Sequence, residues 1–336
     1  MPGAVQRLIP LSDPDGWDEA LTGIGHAFAH RHDNCAAFSL SQAEPAFLYS
    51  AVAPGGRVAV PLALRSKAGH KDLVSPYGFS GFAGSGRIDG FEALFTAFAR
   101  AQGWVCGFIA QHPMVPLSYF GEVADCDWDR LTREAYVIDL SVSEEEMVRR
   151  LSQNRRRQMR GWSRCDLTFD RDEILAFILA NRKAFYAARS AAAVYDFADA
   201  TWRALAASPN TLLIGRRLEG RIVAGSVFAW QDEIGDYLFN ISVPEGQPAS
   251  AQLIWEAAVR MKAAGVTSLN LGGGVSEGDG VARFKQRFGP LRLPLLALRQ
   301  VYRQEVFGSL CRSAKVPAEI GQGFFPPYYK PAQEKA

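Results

Sequence analysis

Apolar residues recur along the chain with two periods, one typical of helices and one typical of strands. Helical spacing covers 14–29 and, more regularly, 88–103, where four apolar residues fall on one face: Phe91, Leu94, Phe95 and Phe98. Runs rich in β-branched and aromatic residues, bounded by glycine or proline, predict four strands: 46–53, 57–65, 104–111 and 134–140. The first part of the chain is therefore expected to alternate strands with helices.

A signal for the start of another helix lies directly after the strand predicted over 134–140. Ser143 with Glu146 three residues later forms a capping box, and a long helix is expected to run to about Arg164. The pattern beyond it predicts, in order, a strand, two helices, three strands joined by tight turns, a helix and a last strand: 165–170, 172–190, 197–207, 211–218, 221–231, 235–243, 249–264 and 266–271. An antiparallel meander that leads into a helix and another strand is the order of a GNAT-type α/β sheet.

The net charge of the chain changes sign at about residue 143, where the second group of predicted elements begins. Residues 1–142 carry 10 basic and 15 acidic groups, whereas residues 143–303 carry 23 and 17. A basic second half favours an anionic ligand there, although a chance imbalance on solvated faces gives the same numbers. We expect a first domain over 1–142, a second over 143–303 and a tail over 304–336.

Composition narrows the class of protein. Hydrophobic residues make up 48% of the chain, which is enough for a full core and excludes a disordered or fibrous chain. Apolar runs stay well short of the roughly 18 residues of a membrane-spanning helix, so no stable membrane insertion is expected. The first twelve residues carry no secretory pattern, which favours the cytoplasm.

Neither a metal nor a disulfide framework is expected. The five cysteines are scattered without the CxxC spacing of zinc sites. His26 and His30 are spaced as a pair of ligands on one helix face, but no third ligand accompanies them. The sequence therefore predicts no metal site.

The most informative motif is a glycine-rich strand end followed by a helix that carries a lysine. Leu269-Asn-Leu-Gly-Gly-Gly274 is followed by Phe284-Lys-Gln-Arg-Phe-Gly289. Glycines allow a ligand to approach the backbone closely, and the helical spacing places Phe284 and Phe288 on a buried face with Lys285 beside them. The pattern is neither a Walker A loop nor a GxGxxG helix start. Lys285 is expected to point into the space that the glycines line.

This motif resembles the signature of the FemAB family, a strand ending in Gly-Gly followed by a loop and an FKxxFG helix. Two further segments are similar to that family: DLVSPYGFSG at 72–81, and GDYLFNIS followed by the helix that contains Trp255-Glu-Ala-Ala258. The likeness covers roughly residues 46–303. The family consists of aminoacyl-tRNA-dependent transferases with two tandem GNAT-like domains, whose mixed, largely antiparallel sheets are flanked by helices and whose chain end returns to the first domain.

The resemblance implies roles for individual residues. Lys285 would hold an acceptor phosphate, and Arg189 would lie near the same ligand. Tyr237 and Asn240 stand where family members line the cleft. The family motifs also place these residues at the substrate: Tyr77, Tyr186, Gly273, Gly274 and Phe284. The partners implied are an aminoacyl-tRNA donor and an amine-bearing anionic acceptor, a peptidoglycan precursor or a small molecule; DNA is not among them.

Aminoacyl transfer to an amine needs a base and donors for a negative oxygen. Lys285, the amides of 272–274 and Tyr237 are candidate donors. None of the five histidines lies in the basic half, so either the acceptor's own phosphate or Asp72 is expected to take the proton.

The segment that holds pyrophosphate in acyl-CoA-dependent GNAT enzymes is altered here. Such enzymes carry Q/R-x-x-G-x-G/A before a helix, whose free amides cradle the pyrophosphate. This chain reads Gln247-Pro-Ala-Ser-Ala-Gln252, which lacks both glycines, and Pro248 has no N–H. No cofactor is therefore expected.

The helix that starts at Ser143 has an arginine ridge at four-residue spacing: Arg156, Arg160 and Arg164. Like charges on one helix face repel each other unless an anion neutralises them, which makes this ridge a candidate tRNA surface. A solvated face that pairs with the acidic first domain is the alternative.

These patterns favour a cytoplasmic aminoacyltransferase. A GNAT-like N-acyltransferase that uses acyl-CoA or acyl carrier protein, and a non-catalytic double-GNAT scaffold that binds tRNA or an anionic glycan, remain open from the sequence.

Overall fold

The computed structural model describes residues 4–42, 45–117, 128–160, 166–189, 195–274, 278–319 and 324–329. Within these ranges, no helix combines the length and the apolar character needed to cross a bilayer. The chain forms two compact units. Unit 1 comprises Met1–Leu131 with Leu295–Ala336, and unit 2 comprises Thr132–Pro294.

Unit 1 begins with six strands and three helices. The strands are β1 (Val5–Pro10), β2 (Phe47–Ala53), β3 (Gly56–Lys67), β4 (His70–Val74), β5 (Ala83–Gly86) and β6 (Cys106–Ala110). The helices are α1 (Pro14–Leu21), α2 (His32–Ser39) and α3 (Phe91–Ala101). β1 to β4 form antiparallel neighbours, β4 pairs with β6 in parallel, and β5 pairs with β3.

Unit 2 is built on the next run of paired strands. From residue 128 to the end of unit 2 the elements are β7 (Trp128–Asp139), α4 (Glu144–Arg150), α5 (Gln153–Arg160), β8 (Leu167–Thr168), α6 (Arg171–Ala187), α7 (Asp199–Ala207), β9 (Thr211–Leu218), β10 (Arg221–Gln231), β11 (Ile234–Ser242), α8 (Ser250–Ala263), β12 (Ser268–Asn270) and α9 (Gly280–Gln286). They are followed by β13 (Leu291–Val301), which leads back to unit 1, and by α10 (Gln304–Ser313) of that unit. The strand order is β7-β12-β11-β10-β9-β8. Among the described strands of unit 2, only β11 and β12 pair in parallel. The predicted α/β class with mixed, largely antiparallel sheets is confirmed.

Two strands contribute residues to both units, which moves the domain boundaries from the predicted ones. Residues 137–139 of β7 pair with β12, so the strand predicted at 134–140 belongs to unit 2 and not to the first domain. Residues 297–301 of β13 pair with β6, so unit 1 resumes before the predicted boundary at 303.

Apolar side chains fill a core in each unit. In unit 1 the aromatic residues of α3 lie on one buried face, as their spacing predicts. Phe91 and Phe95 are buried beside Tyr49 and Phe82. In unit 2, α8 lies in the core together with Phe228 and Phe288. Burial of such rings removes a large apolar area from water.

Two predicted helices are shorter than expected. The helix predicted over 14–29 ends at Leu21, where Thr22 caps it and Gly23 adopts a φ of 73°. The long helix predicted from Ser143 to about Arg164 is wrong, because extended backbone at Leu151 separates α4 from α5. Leu151 is buried, and the Ser152 hydroxyl accepts a bond from the Arg155 amide, which starts the second helix. The capping box itself places the Ser143 hydroxyl on the Glu146 amide.

Candidate functional site

The parallel strands β11 and β12 separate in the middle of unit 2. Their pairing runs from Ile234–Ser268 to Asp236–Asn270 and ends there, although β11 continues to Ser242. Beyond Asn270 the chain stays bonded to β7 instead: the Leu271 amide donates to the Tyr136 carbonyl at 2.8 Å. The glycine segment therefore leaves β11, and the backbone edge of β11 beyond Asp236 is no longer paired with β12.

The side chain of Asn270 fixes this separation. Its Nδ2 donates to Asp236 Oδ1 at 3.0 Å across the last strand pair, and its Oδ1 accepts from the Gly272 amide at 2.9 Å. Gly272 adopts a φ of 69°, a left-handed conformation that favours glycine. The predicted strand end thus turns sharply at its first glycine.

Lys285 lies at the glycine segment, as the motif predicts. Asp279 caps α9 by accepting from the Ala282 amide at 2.7 Å, and Lys285 lies in the last turn with only 8% of its surface exposed. Its Nζ donates to the Gly273 carbonyl at 2.7 Å. An ammonium has three N–H groups, so this bond leaves two for a ligand. Burial lowers the pKa of Lys285 to about 8, against the opposing charge of Asp279.

Three predicted residues from β11 and α6 meet around a buried hydroxyl. Ser226 on β10 is opposite Asn240 in the strand register, and its Oγ is 2.9 Å from Asn240 Oδ1. Burial raises the pKa of Tyr237, while a hydrogen bond with Ser226 opposes the shift and the nearby Tyr186 adds to it. The Tyr186 ring stacks on Tyr195 with centroids 5.5 Å apart. Tyr186, Tyr237 and Asn240 are therefore brought together.

Ser226 is a site residue that sequence reasoning missed. It is a fully buried polar residue inside the apolar strand β10, directly across the hairpin from Asn240. A count of the hairpin register back from the turn would have paired Ser226 with Phe239, because a shift of one residue between Val227 and Phe228 brings Asn240 opposite Ser226 instead. A buried polar residue in such a strand needs a hydrogen-bond partner, which was the available signal.

Arg189 has mainly local contacts among the described residues, whereas Phe284 also contacts the Arg155 guanidinium, far away in the sequence. Arg189 is exposed just beyond the end of α6, with its guanidinium 3.7 Å from the Phe185 ring centre and a bond to the Phe185 carbonyl at 3.2 Å. Phe284 is half-buried and contacts Phe288 edge to face. Gly273 and Gly274 are also half-buried, so backbone atoms of the glycine segment reach the surface.

Two predicted residues belong to unit 1. Tyr77 is half-buried, and its ring lies 4.9 Å from that of Phe38. Asp72 has no exposed surface: its Oδ1 accepts from the Tyr328 hydroxyl at 2.7 Å and from the Cys106 thiol at 3.3 Å. Burial raises the pKa of Asp72, and these two hydrogen bonds oppose the shift. Complete burial does not favour the predicted role of Asp72 as a base and indicates an anchor for the tail.

Replacing Tyr328 with phenylalanine is expected to destabilise unit 1. The buried Asp72 carboxyl would lose its shortest hydrogen bond, at a cost of about 1 to 3 kcal/mol in the free energy of unfolding. The matched control is Tyr302→Phe, because the buried Tyr302 hydroxyl has no hydrogen-bond partner in the described part of the chain. Urea unfolding measures both variants; equal effects would show that Asp72 does not depend on Tyr328.

The predicted arginine ridge is only partly visible. Arg156 is exposed on α5, Arg160 ends that helix, and Arg164 lies outside the described residues. The break at Leu151 changes which arginines face solvent: Arg155, between exposed neighbours, is 2% exposed. It contacts α9, the helix that carries Lys285. Arg155 is the second residue near the site that the sequence pattern did not single out.

The contact between α4 and α9 depends on Gly289. A Cβ atom at this position would lie 2.1 Å from the Arg150 carbonyl oxygen, and its φ is 65°. Gly289→Ala is expected to lower the free energy of unfolding by about 3 kcal/mol, from left-handed strain and overpacking together. Gly220→Ala is the control, since Gly220 has a φ of 77° but open space around it; it should cost only about 1 kcal/mol. Thermal unfolding that shifts equally in both would contradict the close contact.

The start of α8 differs from a pyrophosphate-binding helix start. A 3-10 helix over 244–249 leads directly into α8. Within it the Gly246 amide donates to Val243 and the Ser250 amide donates to Gln247, while Pro244 and Pro248 have no N–H. Several amides that would hold a pyrophosphate are therefore absent or engaged.

The histidines and cysteines form no metal centre in the described ranges, where no three His, Cys, Asp or Glu side chains group as ligands. His26 Nδ1 is 2.7 Å from the Ile24 carbonyl, and His30 is fully buried. Cys35, Cys106 and Cys311 are free thiols.

The fold matches known structures although the sequence does not identify a family. No family profile matches the chain, and no curated protein matches it. The crystal structure of FemX superposes with a TM-score of 0.62 at 11% identity, over 91% of this chain and 99% of FemX. The chain has the FemX fold. The expected two GNAT-like halves are thereby confirmed as the fold class.

Two further structures share the FemX fold with this chain. One is the C-terminal domain of a protein from Agrobacterium fabrum named for lysylphosphatidylglycerol synthetase, with a TM-score of 0.55 at 14% identity over 90% of this chain and 94% of that one. The other is L-PGS from Bacillus licheniformis, with a TM-score of 0.52 at 16% identity over 85% and 91%. At these identities the likeness establishes the fold alone.

Proposed function

We propose that this protein is an aminoacyltransferase of the FemX type that moves an aminoacyl group from charged tRNA to the amine of an anionic acceptor. The observation that carries the proposal is the buried Lys285 ammonium bonded to Gly273, where β11 and β12 separate. The FemX fold supports it, as do the structures named for lysylphosphatidylglycerol, an aminoacylated phospholipid. The work would take place in the cytoplasm, where aminoacyl-tRNA is made.

The reaction forms a C–N bond between the acceptor amine and the aminoacyl carbonyl and breaks the ester C–O bond to the tRNA ribose. Negative charge develops on the carbonyl oxygen, and preorganised donors are the largest help that a protein gives to such a step. We assign this help to the two unused N–H groups of Lys285 and to the backbone of the glycine segment. The same ammonium favours an acceptor that carries phosphate.

The proton that the amine loses goes in the end to the ribose oxygen that leaves. We propose that the acceptor's own phosphate carries it, because Asp72 is fully buried and bonded to Tyr328. Tyr237, whose hydroxyl bonds with Ser226, is proposed to orient the acceptor. Arg189, just beyond the end of α6, is proposed as a further acceptor contact.

The exposed arginines of α5 are proposed to bind the tRNA phosphates. Arg156 and Arg157 are exposed, and no acidic residue lies in that helix. Binding through phosphates releases counterions, so tRNA affinity should fall steeply with salt. A flat salt response in filter binding would remove the arginines of α5 from this role.

An acyl-CoA donor is the less favoured alternative, because the start of α8 offers few free amides. The deciding experiment incubates the protein with charged total tRNA and a panel of amines, with mass spectrometry of the products. An amide product that disappears when the tRNA is deacylated beforehand supports the proposal. Product formed from acetyl-CoA instead, or thermal stabilisation by CoA thioesters, would favour the alternative. Tight tRNA binding without any product would favour a scaffold.

A further inference from the structure

The guanidinium of Arg155 is clamped onto the helix that carries Lys285. It lies 4.7 Å from the ring centre of Phe284 and 4.4 Å from that of Phe288. Its Nη2 donates to the Phe284 carbonyl at 3.2 Å, and its Nη1 donates to Gln158 Oε1 at 2.8 Å. Arg155 thus contacts both aromatic residues that flank Lys285 in the sequence.

Packing alone does not account for an arginine at this position. Among the described residues, no carboxylate pairs with Arg155, and its buried Nε has no hydrogen-bond partner. Burial lowers its pKa to about 10, and Arg287 adds repulsion, yet the group is still charged at neutral pH. A buried charge without a counter-ion is costly, and an apolar side chain of similar size would usually be as stable or more so.

The clamp acts at the end of α9 where the helix is weakest. Phe284 belongs to the last turn, whose carbonyls lack helical partners. The Arg155 guanidinium donates a hydrogen bond to the Phe284 carbonyl. α9 is only seven residues long, so a small rotation would carry the Lys285 Nζ away from Gly273. The aromatic contacts restrict that rotation, because the planar guanidinium touches two rings at once.

A backbone hydrogen bond also holds the chain just after α9. The Ser152 amide donates to the Arg287 carbonyl at 2.9 Å, at the break between α4 and α5. This bond fixes the backbone, whereas Arg155 contacts the side chains beside Lys285. The two contacts therefore have separable effects.

We propose that Arg155 is the positioning residue of Lys285: its clamp on Phe284 and Phe288 holds the ammonium against the glycine segment. The catalytic consequence rests on the proposed function, but the positioning itself does not. The environment of the Lys285 amine reports the position directly, because the amine titrates differently when it is buried at Gly273 and when it is free in water.

The test is competitive labelling of lysines with trace acetic anhydride between pH 6 and 11, with the Lys285 peptide quantified by mass spectrometry. In the wild type the labelling midpoint should lie near 8. In Arg155→Met it should rise by at least one pH unit, while the melting temperature is unchanged or higher. Transferase turnover should fall tenfold or more, with KM for charged tRNA unchanged. Arg149→Met, on exposed α4, is the matched control and should behave like the wild type.

Arg155→Lys keeps the charge but loses the planar contact, so it should restore less than half of the lost turnover. Full restoration by lysine would show that charge alone acts and would overturn the clamp. A midpoint that stays near 8 in Arg155→Met would also overturn it, whatever the activity. If Arg155→Met fails to fold, the Lys285 labelling midpoint is measured in Arg155→Lys instead. A rise supports the clamp, and a midpoint that stays near 8 overturns it. If the wild type transfers no aminoacyl group, the proposed function fails while the labelling still decides the positioning.

Discussion

Lys285→Met is expected to lower kcat/KM for aminoacyl transfer by about 100-fold or more, because it removes charged donors from the point where negative charge develops. The fold should survive, since methionine fills a similar space and a buried charge is costly to keep. The measurement is steady-state transfer from charged tRNA, with thermal unfolding of the same samples.

Lys183→Met is the matched control for this prediction. Lys183 is exposed on α6, and the same chemical change there should leave both turnover and stability as in the wild type. A Lys285→Met protein that keeps its activity would contradict the proposed site. A wild-type protein that binds tRNA but transfers no aminoacyl group would indicate a scaffold.

The second large effect is expected from pH. Lys285 must be protonated to act, and its pKa is lowered from 10.5 to about 8 by burial. Above pH about 8, kcat/KM should therefore fall by about tenfold per pH unit, while below it the rate is limited by deprotonation of the acceptor amine. In Lys285→Arg the cation persists above pH 12, so the residual activity should lose its alkaline decline.

Stability should change in the opposite direction over the same range. Between pH 8 and 10.5 the unfolded chain keeps the Lys285 proton that the folded chain has lost, so this residue's contribution to the free energy of unfolding rises with pH. An alkaline loss of activity that came with a matching loss of stability attributable to Lys285 would contradict this assignment. Urea unfolding of the wild type and Lys285→Met across the range separates the two effects.

The candidate site shows how far local patterns reach. The glycine-rich strand end, the short helix and the proximity of Lys285 to Gly273 follow from motif and spacing, because all are set within 21 residues of chain from Leu269 to Gly289. The meeting of Tyr186, Tyr237 and Asn240 came from the family resemblance. Ser226 was missed because its role depends on the residue across the hairpin.

The arginine run shows where such patterns fail. Arg156, Arg160 and Arg164 predict a ridge on one continuous helix from Ser143, but Leu151 is drawn into the core and interrupts that helix. That break releases the Ser152 amide to bond with Arg287 and turns Arg155 toward Phe284 and Phe288. The closure of Asp72 from solvent is another case: Tyr328, a tail residue more than 250 positions away, bonds to it.

The sequence by itself determined most of the strands and helices, the α/β class and the lysine beside the glycines, because hydrophobic period, caps and glycine conformation act over a few residues. Only the tertiary structure decided where the units divide, which arginine is buried and which carboxyl is closed to solvent. Those outcomes depend on contacts between residues far apart in the chain, where burial and unpaired polar groups carry free energies larger than any local preference.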